Sequence, residues 1–173
     1  MESFTVTPIR SVADIAKLAY EVRTKYDLTT PIDYEIALPA AGLKLNISNA
    51  QVLVPDIVLH VATVRRCGYE ASLRLRSCHA LGHFLMHMDG ESTYVDSRHQ
   101  RKDYARETWE ADIFSYALTM PEAEYRCEFA KLVGLGGGPT LTALTKHFGV
   151  PIIAVIEWGR EIGVLENGEK IRW

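Results

Sequence analysis

Apolar side chains recur at helical spacing over most of this chain and form short β-rich runs in only one region. Val12, Ile15, Ala16, Ala19 and Val22 share one face of a 3.6-residue repeat, with Ser11 suited to the N-cap, and predict a helix from 11 to about 25. Thr30, Pro31 and Asp33 form a helix-start signal, so a second helix is expected from about 30 to between 39 and 42. Between 43 and 64 the runs KLNI, QVLV and IVLHVATV, broken at Asn49 and Pro55-Asp56, predict a small sheet. Further helices are expected over about 70–88, 104–119, 122–132, 140–148 and 152–162. The polar stretch 91–102 reads as a loop. GLGGGP, at 134–139, is too rich in glycine to hold a helix and reads as a linker. The final VLENGEKIRW reads as a hairpin turning at Asn167-Gly168. These elements define an α+β, mostly helical fold: a main domain over 1–133, a linker over 134–139 and a C-terminal helical and hairpin unit over 140–173.

Composition narrows the class. At 173 residues, 47% hydrophobic and 24% charged, the chain is an ordinary globular domain with enough length for its own core. A net charge of -3 leaves no basic excess to neutralise a phosphate backbone, which disfavours non-specific nucleic-acid binding. Cys67, Cys78 and Cys127 form no C-x-x-C pair, so neither a disulfide framework nor a cysteine zinc site is expected, and reduced thiols fit the cytosol. MESFTVTPIR is not a secretory leader, and no apolar run nears the roughly 20 residues of a membrane span. A cytoplasmic protein without membrane association is expected.

The chemistry concentrates in S-C-H-A-L-G-H-F-L-M-H-M, residues 77–88. His79 and His83, four apart on a helix, put two imidazoles on one face within reach of one metal ion, and zinc suits such ligands. The alternative is a histidine pair that only packs or hydrogen-bonds. His87 continues the spacing but lies roughly 12 Å along the axis from His79, too far to share an ion, and reads as a cleft wall or a partner behind the ligands. A third ligand should come from the 104–119 helix. Glu110 shares a face with apolar Phe114 and Leu118, where an unpaired carboxylate is costly. Glu107, one turn earlier, is the fallback ligand or a supporting group, and Asp112 reads as part of a solvated face.

H-x-L-G-H-x-L-x-H, followed by W-E-A-D-x-F-x-x-x-L-x-M-P at 109–121, resembles the ImmA/IrrE family of zinc metallopeptidases. The likeness extends upstream to Arg74 and covers roughly 10–132. It implies one zinc per chain on His79, His83 and Glu110. It also implies a small zincin-like α+β fold with the zinc helix beside a sheet, and a role in cutting transcriptional repressors that control mobile elements or stress and DNA-damage responses. One position departs from the family pattern. Where the family has the general-base Glu of H-E-x-x-H, this chain has Ala80, which should leave the metal ligands intact and the peptidase nearly inactive. Ala80 reads as an engineered silencing of an otherwise complete site. The alternative is a natural pseudoprotease, a zinc-containing regulator that binds a repressor or DNA.

Three features stand apart from that motif. The 141–160 segment has the look of a helix-turn-helix, with Thr145, Gly149 and Val155 at the small, turn and buried positions. Over the whole C-terminal unit Glu157, Glu161, Glu166 and Glu169 cancel Lys146, Arg160, Lys170 and Arg172, so DNA binding is a weak expectation and recognition of a repressor by this unit a comparable one; the partner expected of the chain is a helix-turn-helix repressor. The basic run 98–102 borders the site and reads as solvated, with steering of an acidic substrate as its functional alternative. His60, within IVLHVATV, reads either as an ordinary strand residue or as part of a sheet edge lining the cleft.

Overall fold

The computed structural model describes residues 10–49, 56–66, 68–88, 93–95, 103–134 and 141–166. The chain opens with α1 (Val12–Lys25), started by a capping box: Asp14 N–H donates to Ser11 Oγ, and Ser11 N–H donates to the Asp14 carboxylate. The second helix, α2 (Tyr34–Ala40), begins later than its start signal suggests. Asp33, not Thr30, is the N-cap and accepts from Glu35 N–H at 3.0 Å. The Ile32 carbonyl is taken by Arg74 Nε at 2.7 Å, so residues 30–32 are held outside the helix.

The sheet has the order β1-β3-β2-β4, built from β1 (Lys44–Ser48), β2 (Asp56–Val58), β3 (Val61–Arg65) and β4 (Thr93–Val95). β1 runs parallel to β3, and β2 runs antiparallel to both β3 and β4. The run IVLHVATV, which reads as one strand, is a hairpin. Leu59 and His60 take φ of +48° and +60° and form its two-residue turn, with Val58 paired to Val61. β4 lies inside the stretch expected to be loop. QVLV at 51–54, the basic run 98–102, 135–139 of the expected linker and 167–173 of the expected hairpin lie outside the described residues.

Ile57, Ala62, Val64 and Tyr94 are buried, and α3 (Glu70–His87) packs against the sheet. Across α3 lies α4 (Tyr104–Thr119), which also receives α1. Gly82 sits against Ala111 and Phe114 of α4, and the absence of a side chain there lets the two backbones approach closely. Two helices complete the described fold after α5 (Glu122–Gly134): α6 (Leu141–Phe148) and α7 (Ile152–Glu161). Trp158 Nε1 donates to the Met120 carbonyl at 2.7 Å and Tyr125 Oη to the Val155 carbonyl at 2.8 Å. Leu144, Phe148, Val155 and Trp158 enter the same core as Ile15, Leu81 and Phe114. Of the unit that the sequence sets apart at 140–173, α6 and α7 are described, and their apolar faces are covered by α5 and α4.

Candidate metal centre

The site forms where α3 and α4 face each other. His79, His83 and His87 fall at i, i+4 and i+8 on α3 and are all buried. His79 Nε2 and His83 Nε2 are 2.9 Å apart. Behind this pair, His79 Nδ1 lies 2.8 Å from Asp112 Oδ1, and His83 Nδ1 lies 3.0 Å from His87 Nδ1. The row ends where His87 Nε2 meets Glu110 Oε2 at 2.9 Å. Arg10 closes that end: Nη1 donates to Glu110 Oε2 at 2.9 Å, its backbone N–H to Oε1 at 3.3 Å, and Nη2 to the Met86 carbonyl at 3.2 Å. Tyr94 of β4 stacks on His83, ring centroids 4.3 Å apart, and donates its hydroxyl to Glu107 Oε2 at 3.1 Å.

These contacts fix the charge states. Burial alone would push the Glu110 carboxyl up, but hydrogen bonds from His87 and Arg10 outweigh it and hold the group below its ordinary range. Burial holds His87 below the ordinary histidine value, against the pull of Glu110 and Glu107. At neutral pH the far end of the row is therefore a carboxylate beside a neutral imidazole.

Two imidazole nitrogens that face each other are a donor pair of the kind zinc accepts. With bonds of about 2.1 Å, tetrahedral zinc separates two nitrogen ligands by roughly 3.4 Å, so the 2.9 Å pair needs only a slight opening to hold it. Glu110 does not stand at that point: its carboxylate is engaged by His87 and Arg10 on the far side of His83. Among the described residues, no three His, Cys, Asp or Glu side chains are gathered round one position.

The other expected residues are dispersed. Glu107 is buried behind Tyr94. His60 lies on the exposed turn of the β2–β3 hairpin, and its ring meets Phe84 edge-on at 5.2 Å. Its strand, β3, is interior to the sheet, so the expected cleft-lining edge is not there; the Leu59-His60 turn has redirected the chain. Ala80 is fully enclosed in the hydrophobic core rather than open over the metal face. Asp112, read from sequence as solvated, is the direct partner of His79. The antiparallel pairing of α3 and α4 could have revealed it, because stepping from Gly82 toward His79 moves along α4 from Ala111 toward Asp112.

A histidine-bearing helix packed between a small mixed sheet and an acidic helix defines a zincin-like metallopeptidase fold. Residues 69–157 match the family model of the IrrE N-terminal-like domain, a peptidase family, and the chain belongs to that family. The match runs from the cap of α3 into α7, so it includes both α6 and the helices of the site. No curated protein matches the chain. Among the described residues, no helix is long and apolar enough to cross a membrane.

Proposed function

We propose that this chain is a zinc-dependent endopeptidase that binds one zinc ion per chain, whose substrate is a helix-turn-helix transcriptional repressor, and whose peptide hydrolysis is suppressed by Ala80. The observation that carries the reading is the 2.9 Å approach of His79 Nε2 and His83 Nε2 on one buried helix face. Glu110 is the third ligand by family likeness, and to serve it would exchange its contacts with His87 and Arg10 for the ion. Zinc bound there supplies a polarising Lewis acid and lowers the pKa of a water to about 7.

The chain's own residues decide how far hydrolysis proceeds. The Ala80 methyl cannot take a proton from that water or pass one to a leaving amine, and loss of a general base costs roughly 10²–10⁴ in rate. β4 is the outer strand of the described sheet and its Tyr94 touches His83, so an extended peptide would pair along β4 beside the site. The solvent face of α7 carries Ile153, Glu157 and Glu161, which suits a protein partner better than a DNA phosphate.

A second reading has its own support. Ala80 is absorbed into the apolar core, as expected of a natural pseudoprotease that keeps zinc and binds a repressor without cutting it. Elemental analysis tests the common ground. The purified chain should hold zinc near one equivalent, His83→Ala should lose it, and Glu110→Gln should weaken it more than Glu107→Gln. A chain that cannot be loaded at neutral pH refutes both readings.

A further inference from the structure

The Glu110 side chain is only 1% exposed, and a carboxylate so far from water needs a countercharge. In this structure Arg10 supplies it. Arg10 Nη1 donates to Oε2 at 2.9 Å and the Arg10 backbone N–H to Oε1 at 3.3 Å, so one residue engages both oxygens. Arg10 Nη2 donates to the Met86 carbonyl in the last turn of α3, where a helix leaves its carbonyls without internal partners. Arg10 is thus fastened to α4 and α3 at once, 100 and 76 residues away along the chain. Its backbone is not free to follow the carboxylate, because the next residue, Ser11, is locked as the cap of α1 by its exchange of hydrogen bonds with Asp14. The other contact of the carboxylate among the described residues is with His87.

We propose that Arg10 is a gate on the metal site: it competes with zinc for Glu110, so that the ion gains its third ligand by displacing Arg10 from that carboxylate. The inference rests on the zinc reading above, which brings Glu110 to the ion, and it assigns no proton to any histidine. Glu110 then has one main countercharge at a time, the guanidinium in the metal-free chain and the ion in the loaded one. Linkage makes the effect reciprocal: as far as Arg10 weakens zinc, zinc weakens the hold of Arg10. Metal uptake therefore loosens the residue that precedes α1 from the α3–α4 contact, and that residue reports whether the site is filled.

The test uses the full chain, stripped of metal by a chelator, beside Arg10→Ala, Glu110→Gln and the double variant. Competition between zinc and a chromogenic chelator reads affinity. Amide–water exchange, read by NMR with and without zinc, follows the Arg10 N–H. Arg10→Ala should bind zinc about 10–100-fold more tightly than wild type, because charge-assisted hydrogen bonds are no longer broken on uptake. Combined with Glu110→Gln, the same change should gain roughly twofold or less, as for sites that do not interact. In wild type, zinc should speed exchange at Arg10 and leave the Ser11 amide, bonded to Asp14, unchanged. An Arg10→Ala chain no tighter than wild type overturns the gate and leaves the zinc reading standing. So does an equal gain with and without Glu110→Gln, which would mean that the arginine acts only through its field. So does an Arg10 amide whose exchange zinc does not change, and this measurement on wild type decides alone if Arg10→Ala fails to fold. Uptake by Arg10→Ala but not by wild type supports the gate in its strongest form. If neither takes up zinc, the zinc reading fails and the gate falls with it.

Discussion

Gly82→Ala probes the helix contact on which the site depends. A β-carbon at this position would lie 3.1 Å from Phe114 Cδ1, 3.2 Å from Ala111 Cα and 3.3 Å from the Ala111 carbonyl oxygen. Two of those three atoms are backbone, so relief requires α3 and α4 to part by a few tenths of an ångström. Alanine gains about 1 kcal/mol of helix propensity over glycine, while overpacking a tight contact costs about 1–3 kcal/mol. The balance is a destabilisation of about 0–2 kcal/mol, which at about 2–4 °C per kcal/mol lowers the melting midpoint by up to about 8 °C. The same parting stretches the 2.8 Å His79–Asp112 bond, so zinc affinity should fall along with stability. Thermal unfolding and chelator competition on the same samples read both effects. Gly68→Ala, whose β-carbon meets nothing within 4 Å, is the control. A Gly82→Ala protein more stable than wild type by the full propensity gain, with unchanged zinc affinity, would refute the claim that close backbone approach sets the site.

Trp158→Ala removes a fully buried ring and its bond to the Met120 carbonyl; it should cost about 3–5 kcal/mol in urea unfolding, and a chain ending at 134 should not fold cooperatively. In the metal-free chain, the lowered pKa of Glu110 contributes stability that is present above its ordinary value of 4.5 and is lost as pH falls through the lower folded value. Glu110→Gln should flatten that acid limb in a pH series of melting midpoints. Ala80→Glu should raise cleavage of a bound repressor, in a zinc-dependent way, while costing about 1–3 kcal/mol of stability for a larger side chain in an enclosed position. If that protein binds both repressor and zinc yet does not cut, the site is a true pseudoprotease.

Long helices were legible because their periodicity and their burial agree. The 104–119 helix was expected at the bounds where α4 is found, and Ser11 was expected as the cap it proves to be. The sheet was harder to read. β4 is three residues long and exists because β2 offers it an edge, a long-range cause with no local mark. Leu59-His60 turns the chain without glycine or asparagine, so an apolar run read straight through it. At the site, the i, i+4 pair was visible because helical geometry makes it local. The surroundings of Glu110 were not, since Arg10 is 100 residues away and the helix wheel of α4 says nothing of the N-terminal segment. The Asp112 side chain is 44% exposed, in keeping with a solvated face, but its contact with His79 was not legible because its own helix face was weighed and that of its neighbour was not.

The same geometry bears on the proposal that Ala80 silences hydrolysis at a site that keeps its zinc. Both ends of the histidine row rest on α4, at Asp112 and Glu110, and every ring in it projects from one stripe of α3. Position 80 follows His79 by one residue, which turns it about 100° round the helix and out of that stripe. Its methyl is packed among core residues and is no member of the row. A substitution there removes none of the hydrogen bonds of the row that orient His79 and His83. The proposal therefore expects zinc uptake to follow His79, His83 and Glu110, and cleavage to follow residue 80.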